Sequence, residues 1–161
     1  ALESEGYQFE VADASFALLA KREFDGIEVP FDIDGYRVIE EKRNNGMPYS
    51  EATIKVIAKE RLVHTAAEGD GPVNALDNAI RKALKRFYPI LEELHLTDYK
   101  VLVIEGKGGT ASKVRVIIQS GDGHEVWGTV GVSENIIEAS WIALMDSILY
   151  KLVKDNALAL I

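Results

Sequence analysis

The sequence predicts an α+β fold of two βββα units, related by an internal pseudo-two-fold repeat and preceded by a short linker helix. The first observation is a repeat: Tyr36–Glu40 resembles Tyr99–Val103, and Val63–Thr65 resembles Val126–Gly128, both at an offset of 63 residues (99 − 36 and 126 − 63). The second is that each stretch shows three strand patterns followed by a helix pattern. An equal offset with the same element order is what a duplicated supersecondary unit leaves.

The N-terminal segment predicts a helix and a connection. Apolar residues from Ala12 to Phe24 fit a short amphipathic helix, with Asp13 or Ser15 as its cap and Gly26 as its stop. The acidic, proline-containing stretch 27–34 is typical of a linker. We therefore predict a domain boundary near residue 33, with a linker segment over residues 1–33 and the main domain over residues 34–161.

The first repeat unit spans about residues 34–94. Strands are predicted at Tyr36–Glu41, at Ile54–Ala58 after the Asn45-Gly46 hairpin signal, and at Arg61–Ala67. Gly69-Asp70-Gly71-Pro72 then opens a helix that ends before Pro89. Its apolar residues recur at helical spacing: Val73, Leu76, Ile80, Ala83, Leu84 and Phe87.

The second repeat unit spans about residues 95–154. Strands are predicted at Leu96–Glu105, Ala111–Ser120 and Glu125–Val132, separated by a glycine-rich loop and a Gly-Asp-Gly turn. Ser133 is expected to cap the last helix. The buried stripe of that helix is predicted from the helical period: Ile137, Trp141, Leu144, Ile148 and Leu152.

Composition excludes several classes of function. Hydrophobic residues at 47% and charged residues at 27% predict a folded protein, and a net charge of −8 argues against nucleic acid and anionic membrane as partners. The absence of cysteine excludes disulfides, thiolate zinc sites and a cysteine nucleophile. With no signal peptide or membrane-length apolar run, we expect a cytoplasmic protein, and the abrupt start at Ala1 is typical of a fragment.

No pattern predicts catalysis or a metal site. His64, His95 and His124 lack the spacing that places two imidazoles on one metal, and no serine lies in a G-x-S-x-G motif. Gly106–Thr110 lacks the Walker spacing and precedes a strand, so a loop between strands is favoured over a nucleotide site. A small enzyme using His64 or Tyr99 would lack an acid–base pair with a defined partner. We therefore predict no catalytic residue, no metal and no cofactor in this domain.

The two junctions between a third strand and its helix are the most informative positions. Gly69–Pro72 and Ser133–Asn135 each present the N-terminal amides of a helix after a tight turn, and such a point can hold a carboxylate. The alternative is equally compatible with the spacing: the glycines only permit the turn, and Asp70 or Ser133 caps its own helix.

Three segments resemble the C-terminal regulatory domain of citramalate synthase and 2-isopropylmalate synthase. They are residues 64–76 (HTAAEGDGPVNAL), 96–99 (LTDY) and 127–140 (WGTVGVSENIIEAS). The resemblance extends in order from about residue 36 to 152, and residues 5–10 (EGYQFE) resemble the linker before that domain, in its citramalate synthase type. It implies two βββα units that dimerise and bind a feedback-inhibiting branched-chain amino acid.

The resemblance also implies positions for the effector site. They lie at the first junction, on the following strand, beyond the glycine-rich loop and at the start of the last helix: Gly69, Gly71, Val73, Asn74, Leu96, Tyr99, Val103, Thr110, Val114, Ser133 and Asn135. Helix amides with polar side chains would bind the carboxylate and ammonium, and the apolar residues would enclose an aliphatic side chain. Tyr99 and Val103 share strand parity, so both can face one pocket.

The implied function is therefore sensing, without chemistry in this chain. In the family, a separate TIM barrel that depends on a divalent metal condenses acetyl-CoA with a 2-oxo acid. None of that barrel is present in this sequence, so we expect an inactive fragment of an acyltransferase. The expected partners are a second copy, the catalytic domain and the effector, isoleucine before leucine. The alternative is a dimerisation domain without a functional ligand site.

Overall fold

A computed structural model describes residues 12–42, 44, 46–104 and 112–157. Its elements, in chain order, are listed here with their bounds: α1 (Asp13–Asp25), β1 (Phe31–Lys42), β2 (Pro48–Ala58), β3 (Arg61–Gly69), α2 (Pro72–Leu84), a short 3₁₀ helix (Pro89–Glu93), β4 (His95–Ile104), β5 (Lys113–Gly121), β6 (Val126–Ser133) and α3 (Ile136–Lys154). The predicted α+β fold of two consecutive βββα units is confirmed.

The chain divides into two compact units, and the first βββα repeat forms one of them, built mainly from residues 29–92. Its sheet is antiparallel, in the order β1-β2-β3. On β2 the side chains of Ala52, Ile54 and Val56 are fully buried and alternate with accessible ones. Helix α2 buries Leu76 and Ile80 against that face. The alternating apolar residues of β2 and the apolar residues at helical spacing on α2 therefore form one core.

The second unit combines residues 93–156 with the N-terminal segment. Its sheet is antiparallel in the order β4-β5-β6, and α3 packs on β5 and β6. Of the predicted stripe, Leu144, Ile148 and Leu152 are buried, whereas Ile137 and Trp141 are only partly buried. Helix α1 packs on α3 and β6, so it is part of this unit although the sequence places it in a linker. Strand β1 also begins at Phe31, inside the stretch predicted to be a linker.

Each sheet carries a β-bulge at the same point of its first strand. The register shifts between Ile33 and Gly35 in β1, and between Leu96 and Asp98 in β4. The residues without a partner in the register are Asp34 and Thr97, and a tyrosine lies two residues after each of them: Tyr36 and Tyr99. Because bulges are specific local features of a strand, their shared position agrees with the repeat predicted from the sequence.

Two predicted helix caps are wrong. The N-cap of α1 is Ala12, without a side-chain cap, and the oxygens of Asp13 and Ser15 bond to β6. The N-cap of α3 is Asn135, whose side chain accepts from the amides of Ile137 and Glu138, so Ser133 does not cap it. Both errors have one cause, which is that several neighbouring polar residues can cap a helix and tertiary contacts select among them.

Some predictions fall outside the described residues. Asn45, the end of the predicted strand at Glu105, the glycine-rich loop and Ala111 are among these positions. Within the described part of the chain, no helix is long and apolar enough to cross a membrane.

Candidate functional site

At the first junction, α2 begins without a capping side chain. Its N-cap is Gly71, in an extended conformation with φ −165° and ψ 175°. Asp70 does not cap the helix; its backbone N–H donates to Asn74 Oδ1 at 3.2 Å instead. The first N–H groups of α2, at the end of the helix that carries its partial positive charge, are thus without a capping side chain.

Gly69 is required at this junction for steric reasons. A Cβ at position 69 would lie 2.3 Å from the backbone nitrogen of Ala75 and 2.7 Å from Asn74 Oδ1, which brings the end of β3 directly against α2. Gly71 has no such constraint, since a Cβ there meets nothing within 4 Å. Val73 is buried, with 9% of its surface exposed, so it supports the junction from inside the unit.

An open cleft of about 650 Å³ lies beside this junction. Two of the predicted effector residues, Gly69 and Asn74, line it together with polar residues outside the predicted site: Tyr49, Glu68, Asp70 and Asn78. The Tyr49 hydroxyl lies 2.6 Å from a Glu68 oxygen and 3.0 Å from a Glu51 oxygen. Both hydrogen bonds raise the pKa of Tyr49, and the bond to Glu68 has the larger effect. No motif marks these residues, because β-strand register alone brings Glu51 and Glu68 together.

The second junction is already capped by its own side chains. Asn135 Oδ1 accepts from the N–H of Ile137 at 2.8 Å and of Glu138 at 3.1 Å. Ser133 Oγ accepts from the Asn135 N–H at 3.1 Å and donates to the Glu138 carboxylate at 2.8 Å. An effector carboxylate at this helix start would therefore have to displace Asn135 or bind to the side chains around it.

The strand residues of the predicted site share one face of the second sheet. Val103 pairs with Val114, which pairs with Ser133, so these three form one row across the sheet. Tyr99 lies on the same face four residues from Val103. The bulge before Asp98 brings Leu96 to this face as well, because Leu96 pairs with Ser120 and Tyr99 with Ile118.

Helix α3 covers one part of this face and leaves another open. The half-buried Tyr99 places its hydroxyl 3.2 Å from Ser140 Oγ on α3. Val103 is 69% exposed. The first four predicted residues, Gly69 to Asn74, belong to the other unit. Thr110 lies outside the described residues.

A separate cluster of charges in the second unit holds its own counter-ions. The carboxylates of Glu93, Asp122 and Asp155 gather within 4.8 Å of one another. Lys151 Nζ lies 2.8, 2.7 and 2.5 Å from them, in that order, and Lys154 Nζ lies 2.5 Å from Asp122. The ammonium groups take the place that a metal ion would need, so this is a structural ion network.

The pKa directions agree with that assignment. Burial alone would raise the pKa of Asp122, but hydrogen bonds from Lys151, Lys154 and two backbone amides outweigh it and hold the pKa far below its usual range. Burial likewise opposes the charge of Lys151, and its three carboxylate partners raise its pKa above the ordinary value. Both groups are therefore charged at neutral pH.

Comparisons with known proteins agree with the resemblance stated above. Residues 10–152 match the family model described as the LeuA allosteric (dimerisation) domain. The chain is 57% identical over 156 residues to an (R)-citramalate synthase of Aquifex aeolicus and to one of Geobacter sulfurreducens, covering 96% of this chain and 30% of each relative. A 2-isopropylmalate synthase of Ruminiclostridium cellulolyticum is 30% identical over 127 residues, or 77% of this chain and 22% of the relative. The chain thus spans about 30% of the length of the citramalate synthases that it matches.

Proposed function

The chain belongs to the LeuA allosteric (dimerisation) domain family, and we propose that it senses a branched-chain amino acid for feedback inhibition of a longer synthase. Relatives of which it spans about 30% are named (R)-citramalate synthase. We assign the condensation of acetyl-CoA with a 2-oxo acid, and the divalent metal for it, to a catalytic part outside this chain. The observation that carries the proposal is the gathering of five predicted effector residues on one sheet face: Leu96, Tyr99, Val103, Val114 and Ser133.

The chemistry of an amino acid suits these residues. The Ser133 hydroxyl and the Asn135 side chain, at the start of α3, offer hydrogen-bond donors and acceptors to the carboxylate and the ammonium group. In the second unit, the row of Val103 and Val114 offers an apolar surface to a branched aliphatic side chain.

We expect isoleucine to be the preferred effector and leucine the next. The linker and the segment from Trp127 to Trp141 resemble the citramalate synthase branch, and the named relatives with the higher identities are citramalate synthases. The proposed walls Val103 and Val114 are β-branched and have few rotamers, so they select by shape.

Tyr99→Ala should weaken isoleucine binding by about tenfold or more while lowering the free energy of unfolding by less than about 2 kcal/mol. The physical reason is that Tyr99 is half-buried on the sheet face, and its hydroxyl lies within hydrogen-bonding distance of Ser140. Calorimetric titration with isoleucine and urea unfolding of the same sample measure the two effects.

Tyr99→Phe is the matched control, because it keeps the ring and removes only the hydroxyl. It should bind isoleucine more tightly than the alanine variant. If Tyr99→Ala instead loses several kcal/mol of stability, in the manner of a truncated core aromatic, Tyr99 is a core residue and the site is misplaced.

The domain should be a homodimer in solution at about tens of micromolar. Besides the family description, the support is that strands of both sheets expose large apolar side chains: Leu62 (61%), Val103 (69%) and Val126 (61%). Sedimentation equilibrium measures the mass, and a monomer at this concentration would contradict the proposal. A dimer that gives no heat with isoleucine or leucine would favour the alternative, an assembly domain without a ligand site.

A further inference from the structure

Helix α1 closes the outer edge of strand β6. This strand pairs with β5 on one side and is the last in its sheet. On its other side the backbone N–H of Gly128 donates to Asp13 Oδ1 at 2.9 Å, and that of Val130 donates to Ser15 Oγ at 3.0 Å. Because these amides are two residues apart, they point to the same edge. The first turn of α1 thus replaces a neighbouring strand and covers amides that the edge would otherwise leave open.

The same helix is tied to α3. The Ser15 hydroxyl, while accepting from Val130, donates to Asp146 Oδ2 at 2.9 Å, and Arg22 lies 3.4 Å from the other oxygen of Asp146. Ala14 and Leu18, one turn apart, are buried. A single hydroxyl therefore joins α1 to β6, which ends at the second junction, and to α3, which begins there.

A βββα unit does not need such a helix to protect its edge. In the first unit, side chains of α2 itself cover the edge of β3, since Asn78 Nδ2 donates to the Glu68 carbonyl and Lys82 Nζ to the Ala66 carbonyl, both at 3.0 Å. Over the described residues 29–42, 44 and 46–92, α2 is the only α-helix. Helix α1 is thus an addition to one unit only, which calls for a role beyond completing the fold.

The anchor of α1 lies close to candidate effector residues. Val130 precedes Gly131, where an added Cβ would lie 1.9 Å from the carbonyl oxygen of Ala139. This close approach presses β6 directly against α3, so the two move together at that point. Ser133 ends the same strand, and Asn135 caps the same helix. A chain of directly packed backbone thus connects these two residues to the edge amides that hold α1.

We propose that the docking of α1 on β6 is thermodynamically linked to effector binding at the second junction. This inference rests on the proposed function. A bound effector orders the end of β6 and the start of α3, which favours docked α1; released α1 leaves the strand edge unsupported and weakens effector binding. Linkage requires the same factor in both directions. Helix α1 is then the element through which occupancy of the site is reported to the chain before it.

Two variants release the helix. Ser15→Ala removes the acceptor for Val130 and the donor to Asp146, and Asp13→Ala removes the acceptor for Gly128. Lys21→Ala is the control, because Lys21 lies on the same helix with 47% of its side chain exposed and its ammonium group 4.0 Å from the Asp25 carboxylate, on that helix as well. Amide hydrogen exchange of α1, with and without isoleucine, reports docking, and calorimetric titration with isoleucine reports affinity.

We expect isoleucine to increase the protection of α1 in the wild type, and Ser15→Ala and Asp13→Ala to weaken isoleucine binding by about fivefold or more. Lys21→Ala should match the wild type in both measurements. If the variants lose α1 protection but keep wild-type affinity, the linkage is contradicted while the proposed function stands. If neither isoleucine nor leucine binds the wild type, the proposed function fails and the linkage with it. Circular dichroism verifies folding, and Asp13→Ala decides the test if Ser15→Ala does not fold.

Discussion

Replacing Lys151 by Met should lower the free energy of unfolding by about 3–5 kcal/mol, the largest loss that we expect from a single substitution. The Lys151 side chain is 1% exposed and its ammonium group lies between three carboxylates, of which that of Asp122 is fully buried. Methionine keeps most of the apolar stem but leaves those carboxylates with one cation fewer in a poorly solvated place. Urea unfolding at neutral pH measures the loss.

The pH dependence separates a lost ion network from lost packing. The network holds the pKa of Asp122 and of Asp155 below the ordinary value. Its stabilisation is therefore present above about pH 4 and is lost as the pH falls through the lowered pKa values. The difference between wild type and Lys151→Met should accordingly be largest near neutral pH and shrink in acid. A difference that is constant with pH would instead assign the role of Lys151 to the packing of its apolar stem. The control is Lys21→Met, at an exposed position, which should change the free energy of unfolding by less than about 0.5 kcal/mol.

Gly131→Ala should cost about 3 kcal/mol of stability and weaken effector binding as well. The new Cβ would lie 1.9 Å from the Ala139 carbonyl oxygen and 3.0 Å from the Ala143 backbone nitrogen, and backbone atoms cannot rotate away as a side chain would. Helix α3 must move off β6, and Ser133 and Asn135 move with it. Urea unfolding and calorimetric titration with isoleucine measure the two effects.

Gly71→Ala is the matched control for this substitution. Its backbone is extended and an added Cβ meets nothing within 4 Å, so the loss should stay below about 1 kcal/mol, the size of a cap effect. If Gly131→Ala is as stable as Gly71→Ala, β6 and α3 are not in tight contact, and the coupling of β6 to α3 would be wrong.

The fold could be predicted from the sequence because its main signals are local. Alternation along Ile54, Val56 and Ala58 and the helical spacing of Leu144, Ile148 and Leu152 each depend on neighbours within one element. The repeat in the sequence also predicted the order of the strands and helices. Both bulges escaped prediction, since a bulge becomes visible only when the partner strand fixes the register.

Contacts between distant residues set the limit for the rest. Asp13 and Ser15 have the composition of helix caps, and their true partners on β6 lie 115 residues away. Lys151 lies beside the apolar stripe of α3 with partners 58 and 29 residues away, so no local pattern marks it as buried. In the candidate site, the alternation of side chains along one strand predicts that Tyr99 and Val103 share a face. The pairing of β5 with its neighbours, which the sequence does not reveal, puts Val114 and Ser133 in the row of Val103.

Titration of the purified domain with isoleucine, leucine and valine at one fixed pH tests the central claim most directly. We predict saturable binding with isoleucine tightest, because moving one methyl group in a stiff apolar pocket is worth roughly 1–3 kcal/mol, or about tenfold to two-hundredfold in affinity. Valine, one methylene smaller, should bind more weakly than isoleucine. Leucine binding more tightly than isoleucine would move the preference to leucine and leave the sensor in place, whereas no binding of any of the three would contradict the sensing function itself.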